Sequence, residues 1–156
     1  MSGASIGASA ADAAIDLSVT SLSTTTSGDG AQYIRELDSV ALGTLSAGIG
    51  TISLTAVSGA ITEQFTGTDV NIIAGEAILA AGTTIGTAET GAIDLTLSST
   101  LSSTSTGNVF LRETNETSIK SINAGAGNVT LTSGGAITDG DGTTTCLLYT
   151  SPSPRD

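Results

Sequence analysis

The stretch GNVTLTSGGAITD, residues Gly127–Asp139, decides how this chain folds. Alternation over Val129–Thr132 is typical of a half-buried strand, and the Gly134–Gly135 pair after it is typical of a turn. A second short strand is predicted over Ala136–Thr138. Nearly the same phrase, GTISLTAVSGAITE, stands earlier in the chain at Gly50–Glu63. The chain therefore repeats itself, and the repeat is the first guide to its fold.

The repeat extends well beyond that phrase. Tyr33–Glu36 (YIRE) returns as Phe110–Glu113 (FLRE) at an offset of 77, and AIDL at residues 14–17 returns at residues 92–95, an offset of 78. Offsets that drift by single residues are expected when small insertions lie in loops. We divide the chain into a solenoid repeat segment, residues 1–145, with long repeats at about 14–91 and 92–145, and a tail, residues 146–156.

Shorter units lie within each long repeat. Alternating pairs, apolar except for Gln32, recur at short intervals and are separated by glycine-rich turns: Ile15/Leu17, Gln32/Ile34, Ile52/Leu54, Val70/Ile72, Ile93/Leu95, Val109/Leu111 and Val129/Leu131. Units of roughly 16 to 23 residues bury a face only by stacking on one another. The pattern predicts an all-β parallel β-helix (β-solenoid) of about seven to eight coils, with Glu76–Ala81 as a strand.

An alternative fold is a β-sandwich module, one per long repeat, arranged in tandem. That fold favours longer strands and a more aromatic core. Aromatic residues make up only 3% of this chain, and it has no Trp. The composition therefore favours the solenoid.

Charge and hydropathy limit the classes of partner. The formal net charge is −11, from 15 acidic and 4 basic residues. No basic patch is present to displace counterions from phosphate, so we expect no nucleic-acid partner. No apolar run is long enough to cross a bilayer, so we expect no membrane insertion. No signal peptide is visible either.

The last eleven residues, Cys146–Asp156, differ from the rest. They contain the only Cys and both Pro residues, and they interrupt the repeat abruptly. CLLYTSPSPRD resembles the conceptual translation of a sequencing-library adapter. We therefore treat it as a non-native or disordered tail and expect the chain to be a fragment of a longer protein.

The chain has few of the residues that commonly take part in catalysis. The chain has no His, and the only basic residues before the tail are Arg35, Arg112 and Lys120. These facts argue against a His-based triad, a common zinc site or an enzyme of any kind, and we expect no cofactor. Asp139–Gly142 (DGDG) and Gly28–Gly30 (GDG) have residues that calcium uses, but Asx-type turns account for them better.

One repeated polar feature is a candidate ligand or contact face. If Ile34 and Leu111 point inward, the aromatic and arginine side chains beside them point outward: Tyr33, Arg35, Phe110 and Arg112. An exposed aromatic residue next to an arginine is suited to a glycan or a lateral contact. The alternative is structural, since Asp16 and Asp94 stand one coil earlier and can pair with the two arginines.

Two alternative hypotheses for the function are a polysaccharide-active enzyme and an ice-binding protein. Parallel β-helices include polysaccharide-active enzymes, but those need clustered carboxylates, and the acidic residues here are spread along the sequence. Outward Ser and Thr pairs resemble the threonine ladders of ice-binding proteins: Ser53/Thr55, Thr96/Ser98 and Thr130/Thr132. The aromatic column and Asp94 interrupt that pattern.

The segment Gly107–Gly142 and its partner Gly30–Glu63 resemble the repeats of filamentous-haemagglutinin-like bacterial exoproteins, through the phrase G-N/T-V/I-x-L-T followed by G-A-I-T. The resemblance implies a right-handed β-helix in the shaft of a large adhesin, secreted by a two-partner or autotransporter-type route and located at the cell surface. It implies contact with a glycan or with a host or neighbouring cell through the parent protein. Uncovered coil ends also lead us to expect end-to-end self-association.

Overall fold

The computed structural model describes residues 4–9, 13–65 and 67–142. The predicted all-β fold is confirmed, and the one helical element among the described residues is a 3-10 turn at Glu89–Gly91. The strands are, in chain order, β1 (Ile15–Leu17), β2 (Ser21–Thr25), β3 (Gln32–Glu36), β4 (Val40–Ser46), β5 (Thr51–Ala56), β6 (Ile61–Glu63), β7 (Ile72–Ala74), β8 (Glu76–Ala81), β9 (Ile93–Leu97), β10 (Thr100–Ser105), β11 (Val109–Glu113), β12 (Thr117–Asn123), β13 (Val129–Ser133) and β14 (Ile137–Asp139).

These strands form two parallel sheets. Sheet 1 has the order β1-β3-β5-β8-β10-β12-β14, and sheet 2 has the order β2-β4-β7-β9-β11-β13, with β6 also paired to β4. The chain crosses from one sheet to the other and returns one strand higher, so each turn places one rung in each sheet. The result is a β-solenoid of about six turns. The segment Glu76–Ala81 is a strand, as predicted.

The core is a column of aliphatic side chains between the two sheets. Alternation turns every second residue of a strand inward, and stacking in register brings like residues into contact. In sheet 1, Ile52 of β5 pairs with Ala77 of β8, and Leu54 pairs with Leu79. All four side chains are 1% exposed or less. Short strands are thus stabilised by the turns above and below them.

The predicted count of seven to eight coils is wrong. The sequence pairs at Ile15, Gln32 and Ile52 lie in sheet 1, whereas those at Ile72, Ile93, Val109 and Val129 lie in sheet 2. Ile52 and Ile72 therefore belong to a single turn of the solenoid. The prediction from sequence counted that turn as two coils. Alternation is the same in both sheets, so it does not tell which sheet a strand joins.

Insertions explain the uneven turn lengths. Register partners on successive rungs show how many residues one turn of the solenoid contains. Leu101 pairs with Ile119 and marks a short turn, whereas Ile52 pairs with Ala77 and marks a longer one. In the longer turn, the segment that joins β6 to β7 (the β6–β7 segment) interrupts the sheet 2 rung, so both strands pair with β4. In the next turn, residues 86–92 interrupt the rung between Ile85 and β9.

The long sequence repeat spans three and a half turns. From β3, three steps along sheet 1 reach β10, and half a turn more reaches β11 in sheet 2. The equivalent pairs β1/β9, β4/β12, β5/β13 and β6/β14 likewise have one strand in each sheet. The two sheets are therefore built from the same sequence, displaced by half a turn.

A β-bulge recurs with the repeat. In β12, Lys120 is the extra residue between Ile119 and Ser121, which pair with consecutive residues of β10. In β4, the register against β2 shifts between Leu42 and Leu45, a span that includes Gly43, the residue equivalent to Lys120. A bulge bends its strand and locally increases the twist. The same irregularity thus lies on both sheets.

Glycine is required at the corner formed by the G-x-G motif, residues Gly48–Gly50 and Gly125–Gly127. Gly48 and its equivalent Gly125 have φ values of 58° and 54°, in the left-handed region that favours glycine. The second glycine of this motif is required for a different reason, which is close packing against the preceding turn. A Cβ at Gly127 would lie 2.3 Å from the carbonyl carbon of Gly107, because the backbone of the preceding turn passes there.

Inward residues of the outermost rungs are uncovered. Ile15 is 44% exposed at one end, and Val129 and Ile137 are 46% and 55% exposed at the other. End-to-end self-association through these rungs stays a prediction. The tail, residues 146–156, lies outside the described residues.

Candidate functional site

The first aromatic–arginine pair lies on β3 in sheet 1. Ile34 is 2% exposed and faces the core, so Tyr33 and Arg35 face outward, as predicted. Arg35 Nη1 lies 3.1 Å from Asp16 Oδ1 on the neighbouring strand β1. Both side chains are largely exposed, at 48% for Arg35 and 72% for Asp16, so the ion pair contributes at most about 1 kcal/mol.

The second pair lies on β11 in sheet 2 and has a different environment. Arg112 donates from Nε and Nη2 to the two carboxylate oxygens of Asp94, and Nη2 also donates to the carbonyl of Gly67 in the β6–β7 segment. The Asp94 side chain is only 1% exposed, and that of Arg112 is 27% exposed. Its hydrogen bonds to Asp94 raise the pKa of Arg112 above its ordinary value. The predicted cross-coil pairing of Asp94 with Arg112, like that of Asp16 with Arg35, is confirmed.

The two pairs do not form one face. Tyr33 and Arg35 belong to sheet 1, whereas Phe110 and Arg112 belong to sheet 2. The expectation of a single exposed face is wrong because the repeat advances by a half-integral number of turns. Each sheet has one aromatic–arginine pair, with the core between them.

The Ser and Thr ladders are divided in the same way. Ser53 and Thr55 lie in sheet 1, whereas Thr96, Thr130 and Thr132 lie in sheet 2. Within sheet 2, strand β11 with Phe110 separates the two threonine-bearing strands. The expected ladder positions therefore do not make one flat surface.

Acidic side chains from two successive turns gather beside Arg112. Both carboxylate oxygens of Glu63 are buried and have no well-aligned hydrogen-bond partner among the described residues. Burial raises the pKa of Glu63, and the negative charges of Asp94 and Asp69 raise it further. Arg112 and the backbone of Gly67 oppose this shift. The β6–β7 segment thus creates a local cluster of charges that the sequence order does not reveal.

Two glutamates that the sequence analysis did not single out are buried at the corners. Glu36 and Glu113 end the YIRE and FLRE motifs and point inward, with exposures of 0% and 1%. The Glu36 carboxylate accepts hydrogen bonds from the backbone N–H of Val19, at 3.2 and 3.1 Å, and of Leu37 at 3.0 Å. Strand alternation was the available signal, since an outward arginine places the next residue inward.

Glu113 makes the same kind of contact in sheet 2. Its Oε1 accepts a hydrogen bond of 3.1 Å from the backbone N–H of Leu97, one turn earlier. Its Oε2 is buried and lacks a well-aligned partner within the described ranges. Burial raises the pKa of Glu113, and the hydrogen bond from Leu97 partly offsets that rise.

Lys120 has a structural contact. From its bulge in β12 it reaches across β10 to Glu76 of β8, with Nζ 2.8 Å from Oε1. Glu76 also accepts hydrogen bonds from Thr51 and Thr100. The hydrogen bond from Lys120 lowers the pKa of Glu76. All three basic residues before the tail are therefore held in ion pairs.

The DGDG motif, Asp139–Gly142, forms a turn, as the sequence favoured. Asp139 Oδ1 accepts a hydrogen bond of 3.0 Å from the backbone N–H of Asp141, which is an Asx-type turn. Among residues 4–9, 13–65 and 67–142, no three His, Cys, Asp or Glu side chains are arranged to hold a metal ion.

A shallow groove of about 220 Å³ lies at an early corner and is lined by Ser18, Val19, Thr20, Asp38 and Ser39. Its lining combines hydroxyl groups and one carboxylate with apolar surface such as that of Val19. It includes none of the residues around Arg112, so the groove and the acidic cluster are separate features.

In comparisons with known proteins, no family model, curated protein or solved structure matches the chain. In the described part of the chain, no helix has the length and apolarity needed to span a bilayer. The fold class is a β-solenoid with parallel sheets.

Proposed function

We propose that this chain is a segment of the shaft of a large bacterial adhesin, secreted or exposed at the cell surface, with a structural and non-catalytic role. The observation that carries the proposal is the stacking of equivalent rungs. Strands β3, β5, β8, β10 and β12 each pair in parallel with the rung before and the rung after, over one aliphatic core. A fold of this kind lengthens by adding repeats without any change in its cross-section.

Adhesive role and surface location rest on the resemblance to filamentous-haemagglutinin-like repeats. A shaft separates a binding tip from the cell, and it needs regular packing more than a chemical site. The ion pairs of Arg35, Arg112 and Lys120 fit this role, because each links strands of different turns.

The test is to sequence the parent gene across the codon for Thr145 and to label intact cells that express it with an antibody raised against this chain. We expect the reading frame to continue into further copies of the long repeat, and we expect the antibody to bind at the cell surface. A stop codon directly after Asp156 in source DNA, or labelling only after the cells are lysed, would refute the proposal.

A second candidate function is glycan binding at the aromatic–arginine pairs. Tyr33 favours it, because its ring faces outward beside Arg35 and next to Ser53, its register partner on β5. Since Phe110 lies on the other sheet, the two sites would act independently.

A glycan array separates the two functions. If the pairs bind glycan, Tyr33→Ala and Phe110→Ala should each remove part of the signal, and the double variant should remove all of it with the circular dichroism spectrum unchanged. Absence of binding by the unaltered chain would leave the shaft as the function.

A further inference from the structure

The strands β13 and β14, at one end of the solenoid, are the repeat equivalents of the interior strands β5 and β6. β13 (VTLTS) corresponds to β5, which reads ISLTA from Ile52. Ile52 is fully buried, whereas its equivalent Val129 is 46% exposed. β14 repeats the contrast, since Ile61 of β6 is fully buried and its equivalent Ile137 is 55% exposed. The end therefore exposes a surface whose buried form is known from this same chain.

The inner rung shows what covers such a surface. β8 pairs in parallel with β5 along its whole length, from Thr51 opposite Glu76 to Ala56 opposite Ala81. Its inward side chains are Ala77, Leu79 and Ala81. This small–large–small pattern fits over the aliphatic side chains of β5. Among residues 4–9, 13–65 and 67–142, the strand β13 pairs only with β11, so no described strand occupies its other edge.

We propose that the open edge of β13 is a strand-acceptor site, and that its ligand is a β8-like strand from a further copy of the long repeat. The strand binds parallel to β13, with its central leucine over Leu131 and its first alanine over Val129. Backbone hydrogen bonds give affinity, and the alternate inward side chains give specificity. This inference rests on register and burial and does not depend on an adhesive function.

The ligand can be tested as a peptide. A fluorescently labelled peptide with the sequence of residues 74–82, AGEAILAAG, is titrated with the full chain, and anisotropy is recorded. We expect saturable binding. A peptide carrying the change Leu79→Asp should bind at least tenfold more weakly, because a carboxylate would enter the apolar column. This comparison uses the unaltered chain and so does not depend on how a variant folds.

A matched pair of chain variants locates the site. Val129→Asp places a charge on the inward side of β13 and should weaken binding at least tenfold. Thr132→Asp places the same charge on the exposed side of the same strand and should change binding less than twofold. Hydrogen exchange should slow at the β13 amides when the peptide is added.

Three results would overturn the proposal. One is the lack of saturable binding, and another is equal binding by the two variants. The third is full protection of the β13 amides before any peptide is added, since the edge would then already be paired.

Discussion

Replacing each of the two equivalent arginines should give unequal losses of stability. Arg35 and Arg112 stand at the same place in the repeat, and each pairs with an aspartate one turn earlier. The difference is burial, because the Asp94 side chain is 1% exposed and that of Asp16 is 72% exposed. The β6–β7 segment contributes to this difference, since its Gly67 carbonyl accepts a hydrogen bond from Arg112.

Arg112→Ala should lower the free energy of unfolding by about 3 kcal/mol, the lower end of the range for breaking a buried ion pair, because Arg112 itself stays partly exposed. The loss arises mainly from Asp94, which would remain buried and negatively charged without its partner, and Glu63 adds to the repulsion. Arg35→Ala should cost about 1 kcal/mol or less, since water solvates Asp16 in both states.

The assay is urea unfolding followed by circular dichroism, at low and at high salt. Added salt should reduce the small effect of Arg35→Ala and leave the effect of Arg112→Ala nearly unchanged, because buried charges are poorly screened. The double variant Asp94→Asn with Arg112→Ala should recover part of the loss. Equal losses for the two arginine variants would refute the argument from burial.

Three further predictions concern single sites. Glu113→Gln should raise the unfolding temperature at pH 7.5 and not at pH 4, because a carboxyl whose pKa is raised in the fold favours folding below its unfolded pKa and loses that contribution as pH rises through the folded pKa. Lys120→Ala should cost about 1 kcal/mol or less at pH 7; since Lys120 lowers the pKa of Glu76, this cost should vanish as pH falls through the folded pKa of Glu76. Gly75→Ala should destabilise by about 1–3 kcal/mol, because its Cβ would lie 2.1 Å from the carbonyl oxygen of Ile49.

Thermal unfolding monitored by circular dichroism checks all three. Glu36→Gln is the control for Glu113→Gln. Both Glu36 oxygens accept backbone hydrogen bonds, so its amide variant should destabilise at pH 7.5. A gain for Glu36→Gln, a Lys120→Ala cost that persists at pH 3, or an unchanged unfolding temperature for Gly75→Ala would each contradict the corresponding argument.

The repeat and its alternation were enough to predict parallel rungs, an aliphatic core and the Asp–Arg pairs. The number of turns could not be predicted in the same way, because a strand in sheet 1 and a strand in sheet 2 have the same alternation. The β6–β7 segment also has the polar, glycine-containing composition of an ordinary corner. Only the pairing of β6 and β7 with the same strand, β4, shows that it interrupts a rung.

The sequence was enough to predict the Asp–Arg pairs of the candidate site, but not the residues that surround them. Alternation places Tyr33 and Arg35 outward, and the offset of one coil brings Asp16 opposite Arg35. The Asp94–Arg112 pair also contacts a segment of the preceding turn, through the Gly67 carbonyl, and local sequence carries no sign of that contact. The charges of Glu63 and Asp69 are gathered by the same segment.

The half-turn advance of the repeat has a mechanical consequence. Successive copies are related by a rotation of about half a revolution and a rise of roughly 17 Å, taking one strand spacing per turn. The equivalent bulges of β4 and β12 therefore lie on opposite sides of the core. Since a bulge bends its strand, we expect the bends from equivalent bulges to oppose one another over two copies of the repeat.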